Sequence, residues 1–189
     1  DEFFTLLGLD PQKKIILNAT HPPKRFPWGP EFVSNLVDAI DEKKIHHDCQ
    51  IIVRIHPTHY HEKGDFGLNT TVLDKYNKLE NTNKIVILNT PNTTGNRDDY
   101  SFGDEENIMM NSLLKYSDLM VTMFSTMQIE AALFDLPVVN YALREIADAD
   151  YENTRLDPQG AMKMPHVGRI LLTGGVKTAT TFEELYSYI

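Results

Sequence analysis

The sequence predicts an α/β fold: an open, mainly parallel sheet covered on both faces by helices. Three observations carry this. Short runs such as 13–20 and 50–55 are apolar on consecutive residues, as strands buried on both faces require. Amphipathic segments of helical period stand between such runs, so strands and helices alternate and form a βαβ series. Polar segments follow the strands, at the edge where open α/β sheets bind ligands.

Each element has its own reason. The first strand, 13–20, ends at a loop, 21–30, whose four prolines forbid helix. From Glu31, the apolar residues Phe32, Val33, Leu36, Val37 and Ile40 recur at helical spacing, with Asp38, Asp41, Glu42 and Lys43 on other faces. The second strand, 50–55, stops at His56-Pro57, because proline supplies no ladder donor and restricts its predecessor. A helix is expected at 71–79, a third strand at 85–88, and a long loop rich in Asn, Thr, Gly and Asp at 89–104. Helices at 106–116 and 126–134 flank a strand at 118–122, and 137–141 makes a further strand, for four or five in all. In the tail come a turn of helix at 167–172, a short extended piece at 176–179 and a last helix. Thr181 and Glu184 there have capping-box spacing.

Composition bounds the function. At 189 residues, 41% hydrophobic and 24% charged, the chain fits one globular domain of the usual size, roughly 150 residues, and not disorder or coiled coil. A net charge of −9 repels polyanions, which argues against general nucleic-acid binding and leaves any phosphate to local dipoles or a few placed cations. There is no apolar run of the ~18 residues needed to span a membrane. The start has neither a basic segment nor a cleavage site, so a cytoplasmic protein is expected. Cys49, without a second cysteine, reads as a buried, inert thiol. The Asn-x-Thr triplets at Asn18, Asn69 and Asn92 read as ordinary composition. A first residue Asp1 in place of Met suggests a piece of a longer protein.

The residues just after the strands are the candidates for chemistry: Thr20 with the 21–28 loop, Arg54 and His56, Asn89 and Thr90, and 122–128. In the segment 117–141 a strand feeds a hydroxyl-bearing turn from which a helix starts, a place where amide N–H groups and their partial positive charge can hold phosphate. Ser125 and Gln128, three apart, equally fit a capping box. Glu130, about one and a half turns into that helix, either accepts from ribose hydroxyls or is partly exposed or paired with a nearby Arg or Lys. His56, His59 and His61 have a metal-like spacing, but no carboxylate or cysteine is placed to complete a site, so no metal is expected. Lys163, His166 and Arg169 either neutralise a diphosphate or form a solvated patch. Phe26 and Trp28 either form a lip over the cleft or pin their loop to the body.

Taken together, Ser117-Asp118, Phe124-Ser125-Thr126, Glu130-Ala131-Ala132 and Asp135-Leu136-Pro137-Val138-Val139 resemble the nucleotide-sugar half of GT-B fold glycosyltransferases. Arg54-Ile55-His56-Pro57, and Gly174-Gly175-Val176 before Phe182-Glu183-Glu184-Leu185, extend the resemblance over nearly the whole chain. It is nearest to surface and capsular polysaccharide transferases, with CDP-glycerol glycerophosphotransferases and UDP-N-acetylglucosamine 2-epimerases as relatives of the same architecture. The resemblance implies a Rossmann-like donor-binding domain spanning 1–189 and taken from a two-domain enzyme. In this reading Ser125, Thr126, Thr20 and Arg54 hold the donor phosphates and Glu130 the ribose, while Asn89, Thr90 and His56 line the base and cleft. His166 and Arg169 are further candidate diphosphate contacts. The resemblance also implies metal-independent transfer with no cofactor, the nucleotide-activated donor being substrate. The general base would come from a missing N-terminal acceptor domain, through which a lipid-linked acceptor or the membrane surface would be reached. A CDP-linked polyol-phosphate transferase, a 2-epimerase-like domain and a non-catalytic nucleotide-sugar-binding module are the alternatives.

Overall fold

The 13–20 and 50–55 runs become the centre of a sheet because Ile16, Leu17, Ile51, Ile52 and Val53 have no solvent-facing side: each is at most 1% exposed. A computed structural model describes residues 2–23, 25–60, 70–79, 84–89, 103–143, 145–146 and 158–189. Among these, six strands pair in parallel: β1 (Lys14–Ala19), β2 (Cys49–Arg54), β3 (Ile85–Leu88), β4 (Leu119–Thr122), β5 (Val138–Tyr141) and β6 (Lys177–Ala179), in the order β3-β2-β1-β4-β5-β6. The chain reverses its direction of travel across the sheet between β1 and β4. This is the topological switch point of a doubly wound, Rossmann-like fold, and it opens a crevice at the carboxyl ends of those strands. β6, read in the sequence only as an extended piece, pairs Val139 to Lys177 and Tyr141 to Ala179. Its brevity hid it.

The helices are α1 (Glu2–Leu7), α2 (Gly29–Asp41), α3 (Thr70–Leu79), α4 (Asp104–Tyr116), α5 (Met127–Ala132), α6 (Pro158–Met162), α7 (Pro165–Thr173) and α8 (Phe182–Tyr188). Alternation along the strands divides the core. Ile16, Ile51 and Val53 face Phe32 and Leu36 of α2, Tyr76 of α3 and Leu185 of α8. Ile15, Leu17 and Ile52 face Phe3 of α1, Leu113 and Leu114 of α4 and Ala131 of α5.

Polar staples fix the edges. Asp118 accepts from Ile15 N and Lys14 Nζ, both at 2.8 Å, locking β4 to the start of β1. Gln50 and Asp10 exchange two 2.8 Å bonds. At α8, Glu184 N donates to Thr181 Oγ1 at 3.1 Å as the sequence spacing predicts, but the Glu184 carboxylate turns to Thr180 N.

Of the two roles open to Phe26 and Trp28, the structure takes the second: Phe26 is 3% exposed, packed on Tyr141 and edge-on to Trp28, so these aromatics pin the loop to the body. The expected 126–134 helix shortens to Met127–Ala132, closed by a turn with Asp135 in the left-handed region (φ 52°). Cys49 is buried, as expected, and burial pushes its thiol up to about 11. Among the described residues no helix is long and apolar enough to cross a membrane.

Candidate functional site

The crevice at the switch point is a cleft of about 910 Å³. It gathers Thr20 from the end of β1, Arg54 and His56 from the end of β2, and Ser125, Thr126 and Glu130 from the β4–α5 junction. These residues span more than a hundred positions of chain and meet only because parallel strands deliver their carboxyl ends to one edge.

The β4–α5 turn is built under strain. Phe124 has φ 53°, which a bulky side chain rarely adopts. It is held there by its N–H donating to Asn140 Oδ1 at 2.8 Å and by its ring, 5% exposed, packed among Ala142, Ala161 and Val167. The turn sets Ser125 and Thr126 on the cleft wall. Ser125 Oγ accepts from Met127 N at 3.2 Å, so it caps the helix while its O–H stays available as a donor. The capping box does not close, because Gln128 is 1% exposed and its Oε1 accepts from Asn140 Nδ2 at 3.1 Å. Glu130 is exposed on the cleft side and so needs no buried partner.

His56 also lines the cleft, and it belongs with His21 and His59 to a cluster that burial keeps neutral. His56 N donates to Thr20 Oγ1 at 2.8 Å, tying the ends of β1 and β2. His56 Nδ1 accepts from Thr58 N at 3.2 Å, so the neutral ring carries its proton on Nε2. Desolvation, with His21, His59 and the two arginines nearby, pushes His56 down to about 3. His21 is pushed down to about 4, mainly by desolvation and then by Arg25; its Nε2 accepts from Met123 N at 3.2 Å. Desolvation also lowers the buried His59, which donates from Nε2 to the His21 carbonyl at 3.0 Å. These rings are therefore structural and hydrogen-bonding groups. Among the described residues no three His, Cys, Asp or Glu side chains converge as a metal site. His61 lies outside the described residues.

Arg54 is not a free phosphate ligand. Its Nη2 lies 2.9 Å from Glu106 Oε1 of α4, with side chains 11% and 14% exposed. Arg25, on the same lining, is a second cation that nothing in the sequence distinguishes from a solvated loop residue. Asn107 and Asn111 come from α4. Asn89 does not line the main cleft. It stands in an adjoining pocket of about 230 Å³ that shares Arg54, and accepts from Tyr60 Oη. Thr90 lies outside the described residues.

His166 and Arg169 do not join the cleft. They line a separate cavity of about 780 Å³ between α5, the 135–138 segment and α7, apart from the residues that line the cleft. Lys163 is exposed in the turn between α6 and α7.

No protein-family model and no curated protein matches the chain. Solved structures do match. The UDP-GlcNAc 2-epimerase from Methanocaldococcus jannaschii is similar over 99% of this chain and 40% of that one, at 21% identity and TM-score 0.51. The S. aureus MnaA–UDP co-structure is similar over 96% of this chain and 50% of that one, at 16% identity and TM-score 0.47. The chain thus spans half or less of the length of these proteins. At such identity the first likeness is one of fold: the present chain has the architecture of one portion of an epimerase whose relatives the sequence resemblance also named.

Proposed function

We propose that the switch-point cleft binds a nucleotide-activated sugar, and that the chain is the donor domain of an enzyme that transfers the sugar to a surface-polysaccharide or related acceptor. The observation that carries this is the convergence of Thr20, Arg54, His56, Ser125, Thr126 and Glu130 in one cleft at the carboxyl edge of a parallel sheet. Hydroxyl donors on Thr20, Ser125 and Thr126, and the His56 Nε2–H, suit the oxygens of a diphosphate; an acidic chain can hold such a group only through local donors of this kind. Exposed Glu130 suits the two hydroxyls of a ribose. Arg54 reaches the phosphates by exchanging part of its pairing with Glu106 for a bidentate anion contact. In transfer, these donors stabilise charge growing on the departing nucleoside diphosphate, and the base that activates the acceptor comes from elsewhere in the whole protein.

A second reading, an epimerase-like domain, is favoured by the fold shared with the M. jannaschii UDP-GlcNAc 2-epimerase. In both readings this chain binds the donor. The longer protein separates them, since an epimerase returns the nucleotide sugar with one inverted centre and a transferase releases nucleotide.

The test is calorimetric titration of the chain with UDP, CDP, CMP and GDP, with and without Mg²⁺. One nucleotide is expected to bind with or without metal, and Ser125→Ala and Glu130→Ala each to weaken it about tenfold, the loss of one charge-assisted hydrogen bond. Glu130→Ala should weaken a nucleoside as much as a nucleotide. Affinity for none of the four, or affinity untouched by both substitutions in folded protein, refutes the reading.

A further inference from the structure

The Arg54–Glu106 pair sets a carboxylate beside a cation that the donor cleft needs. Arg54 ends β2, and its carbonyl accepts from Thr20 N at 3.1 Å, which ties its backbone to the end of β1. Glu106 lies in the first turn of α4. Asp104 and Glu105 of that turn are exposed, whereas Glu106 turns inward onto Arg54. The two side chains are 11% and 14% exposed and meet at 2.9 Å, where water and salt screen them little. Stability alone does not account for such a pair, because desolvating both charges offsets most of what their attraction returns.

Its effect on the cleft is specific. Arg54 lines both the main cleft and the adjoining pocket; Glu106 lines the adjoining pocket, so its charge acts on the cleft through Arg54. Among the described residues Arg54 donates to Glu106 from Nη2, and a guanidinium has further N–H donors for phosphate oxygens. Paired in this way, Arg54 offers the cleft hydrogen bonds with little net charge.

Hydrogen bonds and charge reward different ligands. In transfer, the bond between the sugar carbon and the β-phosphate oxygen breaks. The acceptor oxygen bonds to that carbon and gives its proton to the base supplied from elsewhere in the whole protein. The β-phosphate oxygen keeps the bonding electron pair, so the released nucleoside diphosphate carries one more negative charge than the donor did. Hydrogen bonds to the phosphates hold donor and product alike, while an unpaired cation would favour the product.

We propose that Glu106 is a specificity-determining residue of the donor cleft: it offsets the charge of Arg54, so that the cleft does not retain the released nucleoside diphosphate in preference to the sugar-bearing donor. This rests on the reading of the cleft as a donor site.

The experiment compares UDP with UDP-GlcNAc, CDP with CDP-glucose and GDP with GDP-mannose by calorimetry, at about pH 7.5 and about 20 mM ionic strength, where charges are least screened. For the pair that binds, the wild type should hold nucleotide and nucleotide sugar within about threefold of each other. Glu106→Gln keeps an acceptor for Arg54 Nη2 and removes the charge. It should tighten the nucleotide about threefold to tenfold more than the nucleotide sugar, the effect of one unit charge across a partly screened site. Glu105→Gln removes the same charge from the exposed neighbour and should leave the ratio nearly unchanged. Urea midpoints show that each variant is folded. A wild type that holds the nucleotide more than about tenfold tighter than its sugar ester overturns the proposal without any variant. So does a ratio that Glu106→Gln leaves unmoved, or that Glu105→Gln shifts as far. Binding with an unmoved ratio defeats this inference and leaves the donor site standing, whereas binding of none of the six compounds defeats both.

Discussion

Lys43 and Phe124 both adopt a left-handed backbone, at φ 59° and 53°, for different reasons. Lys43 follows the end of α2, where Lys43 N donates to Ile40 O and Lys44 N to Ala39 O, the pair of bonds that closes a helix through a left-handed residue. Its side chain is exposed, so nothing repays the strain. Lys43→Gly is therefore expected to raise stability by about 0.5–1 kcal/mol, read from the urea midpoint; an unchanged or lower midpoint refutes it. At Phe124 the same backbone strain is held by a buried ring and the Asn140 amide. Phe124→Gly relieves the strain but empties the ring's place, and should cost about 2 kcal/mol or more. The two glycine substitutions should thus move stability in opposite directions. If Phe124→Gly stabilises, the turn is not held by packing, and Ser125 and Thr126 lose their support.

At the scale of elements, close approach decides what each helix tolerates. An ideal Cβ on Gly29, at the start of α2, falls 1.8 Å from Tyr76 Oη of α3, and Tyr76 is 1% exposed with no room to swing. Gly29→Ala should destabilise by about 1–3 kcal/mol in thermal or urea unfolding, and less in a Tyr76→Phe background, where the hydroxyl is gone. Equal costs in both backgrounds would place the clash elsewhere. These elements were mostly legible in the sequence, because a strand buried on both faces and a helix with an apolar stripe each leave a periodic signal. The parallel order followed from their alternation. Less of the site was legible. Thr20, His56 and Ser125 could be collected because they follow strands, and Glu130 because it stands in the helix that starts there, both local properties. The Arg54–Glu106 pair joins residues 52 apart, and the Gln128–Asn140 amides belong to neighbouring elements. No spacing rule links either pair. For the same reason Ser125 and Gln128 fit a capping box as well as a phosphate turn until the strand that claims Gln128 is in place, and no local signal separates His166 and Arg169 from the phosphate site until α5 is seen to stand between two cavities.

For the whole molecule, the histidines at the carboxyl edge of the sheet set an acid limit on stability. His21 and His56 have folded values of about 4 and 3, below the ordinary 6.5, because burial disfavours the imidazolium. The unfolded chain therefore binds protons that the folded chain refuses. Above about pH 6.5 neither state is protonated at these rings and full stability is present. As pH falls below 6.5 the unfolded state gains protons first, and stability declines until the folded values near 4 and 3 are reached. The limiting slope is about 1.4 kcal/mol per pH unit for each fully refusing group. For partly exposed His56, on the order of 1 kcal/mol between pH 7 and pH 5 is the reasonable expectation after solvent screening. Carboxylates also contribute to acid unfolding, so the wild-type slope alone does not isolate the rings. His56→Gln keeps an acceptor for Thr58 N and removes the titration. Urea midpoints at pH 7, 6 and 5 should therefore fall more steeply for the wild type than for this variant, with the curves converging at low pH. Parallel curves would mean that His56 takes up its proton in the folded state, and its role as a fixed neutral Nε2–H donor in the cleft would fail with them.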